Sequence, residues 1–173
     1  MTNYKSLLKN INTFIFDYDG VLTDGSVITL DDGEAYRTTS VKDGYALQLA
    51  VKKGYRVAVI SGARADCMLN RLKALQIKDI FLGVENKLGV FNQYLLDNSL
   101  EAQHVLFMGD DIPDYEIMLQ AGIPTCPSDA AEEIRGVATY ISNAPGGKGC
   151  VRDVIEQVLK IQGKWMNNDG YHW

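Results

Sequence analysis

Apolar residues fall in short dense clusters along the chain, separated by longer stretches with helical spacing. "TFIFDY" (13–18), "YRVAVIS" (55–61), "DIFLG" (79–83), "HVLFMG" (104–109) and "ATYIS" (138–142) are rich in β-branched and aromatic residues and predict buried strands. "IPTCP" (123–127) is a candidate for one more short strand. Between the strands, Met68, Leu72 and Leu75 recur at helical spacing, as do Val151, Val154, Ile155, Val158 and Leu159. This alternation predicts an α/β fold, a Rossmann-like parallel sheet with helices on both faces. One stretch breaks the rhythm. After Gly25, "SVITLDDGEAYRTTSV" sets two β-prone runs around Asp31-Asp32-Gly33, an aspartate–glycine turn signal. It predicts a small β-hairpin over 25–41 projecting from the end of strand 1, with an edge pair on the main sheet as the alternative.

Composition narrows the picture. The 173 residues are 46% hydrophobic and 23% charged, ordinary proportions for a domain that buries its own core, so a single domain is expected over 1–173. The net charge of −5, with no basic tail, argues against nucleic acid and anionic membrane as partners. The opening "MTNYKSLLKNIN" is too polar for a secretory leader, and no apolar run reaches membrane-spanning length. Cys67, Cys126 and Cys150 are far apart and odd in number, which suits reduced thiols in a cytoplasm. With two histidines, His104 and His172, a histidine-rich zinc site is disfavoured, and a metal here should be a hard ion on oxygen ligands.

The acidic residues then become informative. Ligands of open parallel sheets bind beyond the carboxyl ends of the strands. Asp17 and Asp19 close the first strand, Ser61 and Gly62 the second, Lys87 follows the third, and "GDDIPD" (109–114) follows the fourth. Crowded acids raise one another's energy, so a divalent cation is the expected compensation. Asp17 and Asp110 offer oxygens suited to magnesium (Mg2+), which bridges phosphate readily. Asp17 could then attack phosphorus, and Asp19 could protonate the leaving oxygen and deprotonate the incoming water. Backbone amides near Tyr18, Asp19 and Gly62, with the Ser61 hydroxyl, could hold phosphoryl oxygens.

Each residue also has a plainer account. Asp110 and Asp111 could cap a helix starting near Ile112. Asp114 could support the metal shell or be an ordinary first-turn acid. Lys87 could be a solvated lysine, Ser61 a turn residue, and Lys42 and Asp43 a helix entry. Arg64 and Arg71 could form one solvated face. "PGGKG" (145–149) lacks the ending of a nucleotide loop and reads as a tight turn into the last helix. The tail, 164–173, carries Trp165, Tyr171 and Trp173, side chains that favour docking on this subunit or a neighbour.

"FDYDGVLTDG", "VISG", "ENK" and "MGDDIPD" resemble, in order and spacing, the four motifs of the haloacid dehalogenase-like phosphatase superfamily. With "SVKDGYALQ", "GVENK" and "GGKGCVRDVIEQVLKIQGK", the chain is most similar to the 3-deoxy-D-manno-octulosonate 8-phosphate phosphatases. The resemblance implies Asp17 as nucleophile, Asp19 as acid and base, and magnesium on Asp17, Asp110 and the Asp19 carbonyl, with Asp111 and Asp114 in support. It places Ser61 and Lys87 on the phosphate, and Ser40, Val41, Lys42, Asp43, Gly44, Arg64 and Arg71 on the substrate. Where the family has arginine directly after the motif glycine, this chain has Ala63 and then Arg64. Segments 25–42 and 62–86 are too short to hold a cap domain besides their own sheet elements. An uncapped rim needs another wall, and the resemblance implies a homotetramer with the hairpin against a neighbour. It also implies a cytoplasmic enzyme of lipopolysaccharide precursor synthesis. A nine-carbon substrate, 2-keto-3-deoxynononate 9-phosphate, is the nearest alternative. A response-regulator receiver and a non-catalytic phosphatase-like module are more distant ones.

Overall fold

The computed structural model describes residues 4–31 and 33–171. Helix α1 (Tyr4–Leu7) and a short 3-10 turn lead into β1 (Thr13–Phe16), and then β2 (Ile28–Thr29) and β3 (Ala35–Tyr36) form a hairpin. There follow α2 (Val41–Lys52), β4 (Arg56–Ser61), α3 (Asp66–Ala74), β5 (Asp79–Leu82) and α4 (Lys87–Asp97). The chain continues through β6 (Val105–Met108), α5 (Tyr115–Gln120), β7 (Ile123–Cys126), α6 (Glu132–Val137), β8 (Tyr140–Ile141) and α7 (Cys150–Ile161). The main sheet has the order β5-β4-β1-β6-β7-β8, with every pairing parallel. All five predicted strands and the candidate at 123–127 are present.

The strands are apolar at consecutive positions because both faces of the sheet are covered. Phe14, Phe16, Val57, Val59, Leu106 and Met108 belong to a core shared with α2, α3 and α7. Their neighbours Ile15, Ala58, Ile60, Val105 and Phe107 belong to a second core with Phe91, Ile117, Met118 and Ile134 of α4, α5 and α6. Each such side chain contributes about 1.5–3 kcal/mol on burial, which fixes the strand register and therefore the positions of the strand ends.

The hairpin is a separate two-stranded sheet, pairing Ile28 with Tyr36 and Thr29 with Ala35. It projects, as expected, instead of joining the main edge. Its paired region is shorter than the β-prone runs, and Val27, Ile28, Leu30 and Tyr36 are exposed. The turn residue Asp32 lies outside the described residues, as does Trp173. Among the described tail residues, Trp165 and Gly170 dock on their own subunit. Trp165 meets Tyr45 edge-on at 6.3 Å, Arg152 lies 5.4 Å from the Trp165 ring, and the Tyr45 hydroxyl donates to the Gly170 carbonyl.

The segment at 145–149 turns into α7 and also buttresses the first acidic loop. The Gly147 amide donates to the Val21 carbonyl at 2.9 Å, and a Cβ on Gly146 would lie 2.0 Å from the Gly20 carbonyl oxygen. Only glycine permits that approach.

Candidate active site

β1 ends at Phe16, and the next amide, of Asp17, still donates to the Met108 carbonyl at 3.0 Å. The ladder thus carries Asp17 to the rim with its side chain aimed by the sheet. Beside it, Gly109 leaves β6 and hands the chain to Asp110 and Asp111. The Asp111 carboxylate accepts from the Ile112 amide at 2.8 Å, so its observed contact is that of a cap. The 3-10 turn that follows (Ile112–Asp114) swings Asp114 back into the rim, where it is 1% exposed. Gly20, at φ +86°, allows the convergence: a Cβ there would sit 1.9 Å from Asp110 Oδ2.

Asp17, Asp110 and Asp114 each offer an oxygen within 4.8 Å of the others. Lys87, the first residue of α4, places Nζ 2.9 Å from Asp17 Oδ1 and 2.8 Å from Asp114 Oδ1. Asp114 Oδ2 also accepts from the Asp110 amide at 3.1 Å. Burial, and then the charge of Asp114, raises Asp17 to about 7 against the pull of Lys87. Burial and the neighbouring Asp17 and Asp114 raise Asp110 to about 8. Asp114 is raised by burial despite Lys87. For Lys87, burial works the other way, yet the two carboxylates outweigh it and its pKa rises.

These observations test the fit of a metal. One ammonium among three carboxylates leaves an excess of negative charge, which adds to burial in raising the pKa values of Asp17 and Asp110. Asp17 Oδ1 is buried and in ion-pair contact with Lys87, yet it receives no directed hydrogen bond. A set of hard oxygens, one without a donor, fits magnesium.

Asp17, Asp19, Ser61, Gly62 and Lys87 line one open cleft of about 1200 Å3, together with Ile112, Tyr115, Glu116 and Glu133. Ser61 is 1% exposed and its Oγ accepts from the Ala63 amide at 3.2 Å. A second, small cleft is lined by Tyr18, Ser40, Asp43, Gly44 and Arg71. There the Arg71 guanidinium fills the space a Gly44 side chain would take, since a Cβ would lie 2.5 Å from Nη2. Ser40 caps α2 by accepting from the Asp43 amide at 3.2 Å. The Asp43 carboxylate turns to α7, accepting from the amides of Gly149 at 3.0 Å and Arg152 at 2.7 Å. Val41 and Lys42 are exposed and line neither cleft. Arg64 is also exposed, with its stem along Gly83, and lines neither cleft.

Arg37 was missed by sequence reasoning. It follows β3 and grips Asp19, Nε to Oδ1 at 2.6 Å and Nη2 to Oδ2 at 3.0 Å. Its only sequence signal was that it is the one charged residue between Glu34 and Lys42.

No protein-family model matches the chain. The curated relative 3-deoxy-D-manno-octulosonate 8-phosphate phosphatase KdsC of Salmonella typhi is 32% identical over 94% of this chain and 87% of its own length. The same-named protein of Escherichia coli K12 is 33% identical over 90% of this chain and 83% of its own. Among solved structures, the Yersinia pestis 3-deoxy-D-manno-octulosonate 8-phosphate phosphatase superposes with a TM-score of 0.90 at 31% identity, covering 92% of this chain and 86% of that one. The Moraxella catarrhalis phosphatase, solved with magnesium, phosphate and KDO, gives 0.89 at 33% identity, covering 92% and 91%. A parallel sheet with this acidic rim, and no inserted domain among the described residues, defines a capless haloacid dehalogenase-like phosphatase fold. Within that class, the chain belongs to the family of 3-deoxy-D-manno-octulosonate 8-phosphate phosphatases.

Proposed function

We propose that the protein is a magnesium-dependent phosphomonoester hydrolase that converts 3-deoxy-D-manno-octulosonate 8-phosphate to KDO and phosphate. The observation that carries this reading is the convergence of Asp17, Asp110 and Asp114 around Lys87 in a chain of this family. Asp17 attacks phosphorus, so a bond from its carboxylate oxygen to phosphorus forms as the ester bond to the sugar oxygen breaks. Asp19 gives that oxygen its proton. In the second half, Asp19 takes a proton from water, the water oxygen bonds to phosphorus, and the aspartyl-phosphate bond breaks. The Ser61 hydroxyl and Gly62 amide hold phosphoryl oxygens, while Lys87 offsets the charge of the incoming ester. Asp17, Asp110 and the Asp19 carbonyl would hold magnesium, which would supply charge stabilisation when bound. Asp114 keeps Lys87 and the Asp110 amide in place.

Arg71, with Ser40 and Gly44, is assigned to the sugar acid, and Arg64 to its outer edge. Asp43 lines this pocket and ties it to the start of α7. The hairpin's exposed Val27, Ile28, Leu30 and Tyr36 support packing against a second copy, in a homotetramer, and the tail's exposed Met166 and Tyr171 support a further contact. In this reading the enzyme works in the cytoplasm on lipopolysaccharide precursors.

The test is phosphate release from a panel of sugar phosphates, including the eight- and nine-carbon keto acids, with magnesium and with a chelator. The eight-carbon ester should give the highest kcat/KM, and Asp17→Asn should lower turnover by about a thousandfold or more while the fold is retained. Hydrolysis that survives both chelation and Asp17→Asn overturns the reading.

A further inference from the structure

The Arg37 side chain is only 9% exposed, although it leaves an otherwise exposed arm. Three of its nitrogens are committed: Nε and Nη2 to the two oxygens of Asp19, and Nη1 to the Ala35 carbonyl at 3.2 Å. The arginine itself does not line the main cleft, whereas Asp19 does. Its pKa is raised, above all by the hydrogen bonds to Asp19.

Asp19 differs from Asp17 in needing such a partner. Its side chain is 29% exposed and stands where water can reach it. An acid must point along the line of the proton it passes, and an exposed aspartate is free to rotate out of that line. A two-point guanidinium fork fixes direction as well as distance, which a single ammonium cannot do. The Thr23 hydroxyl lies 3.4 Å from Oδ1, so among the described residues Oδ2 has the more open lone pair for the proton.

We infer that Arg37 is a positioning residue: by gripping both oxygens of Asp19, it aims that carboxylate at the leaving oxygen of the ester. The inference rests on the phosphatase reading and on Asp19 as its acid. The proton moves from Asp19 to the leaving oxygen as the phosphorus–oxygen bond breaks, and one from water returns to Asp19 in the second step. Arg37 neither gives nor takes a proton. The hairpin arm is then part of the catalytic apparatus as well as a projecting surface.

The experiment uses the full chain with magnesium and two esters. The sugar-acid phosphate has an alkoxide leaving group that needs a proton; 4-nitrophenyl phosphate has one that leaves without it. Arg37→Ala should lower kcat/KM, which reports the step that expels the leaving oxygen, by about ten- to a hundredfold on the sugar phosphate and by less than about threefold on the aryl ester. Arg37→Lys should recover part of the loss. In an Asp19→Asn background, Arg37→Ala should add nothing further. Equal losses of kcat/KM on both esters, a loss confined to KM, or losses that multiply in the double variant would overturn the positioning role alone. Failure of the unaltered protein to hydrolyse either ester would overturn the phosphatase reading, and this inference with it.

Discussion

Asp43 and Asp17 are both buried carboxylates, and their surroundings are opposite. Asp43, under the start of α7, is 1% exposed and has each oxygen on a backbone amide, those of Gly149 and Arg152. Asp17, at the rim, is 6% exposed, with one oxygen that has a charged neighbour and no directed donor. Both carboxyls are raised chiefly by burial. What differs is what opposes burial. Helix amides satisfy Asp43 within the fold, at a place where the helix dipole favours an anion. Asp17 is crowded by Asp114 and Asp110, and the fold by itself leaves the crowding unresolved. A satisfied buried acid is structural; an unsatisfied, crowded one is kept for something that arrives from outside.

Removing the lysine should sharpen the contrast most. Lys87→Met strips the rim of its cation and, in metal-free protein at pH 8, should cost about 3 kcal/mol in a denaturant melt. At pH 5.5 the cost should be smaller, because protonated carboxyls no longer need the ammonium. An equal cost at both pH values would mean that Lys87 acts through packing.

The next effect is the pH dependence of the unaltered chain. Asp17 and Asp110 keep their protons up to about 7 and about 8 in the folded state, while the unfolded chain releases them near pH 4. The associated stability is therefore complete below about pH 4 and is lost as pH rises through 7 and 8. Metal-free protein should lose stability steadily between about pH 5 and 8.5, read as a Tm that falls across that window. Saturating magnesium should flatten the curve, since the cation replaces the protons. A metal-free curve already flat over that window would show that the rim is not strained.

Asp43→Ala should give the smallest change, about 1–2 kcal/mol, the usual cost of a lost cap. It should be insensitive to magnesium, with kcat held within about threefold where the protein is folded. A collapse of kcat with unchanged stability would move Asp43 from the fold to the chemistry.

Much of this was legible in the chain because it is local. Strand cores and the polar residues that end them are contiguous in "FIFDYDG", "VISG" and "FMGDD", so these rim residues are legible without any packing. The glycines also carried a signal, although the close approach of Asp110 to Gly20 is visible only in three dimensions. Asp114 had two sequence readings, and the 3-10 turn brings it beside Lys87. Arg37 reaching Asp19 and Asp43 reaching Arg152 had almost none, since such contacts depend on how a hairpin and two helices pack.

The sequence alone determined the layered α/β fold, the existence of a hairpin and the set of residues at the strand ends, because apolar periodicity and turn chemistry act over a few neighbours. Only the tertiary structure decided which acids share charge, which are satisfied by amides, and which arginine serves which carboxylate. Electrostatic partners are chosen by distance in space, and that distance is set by the packing of two cores.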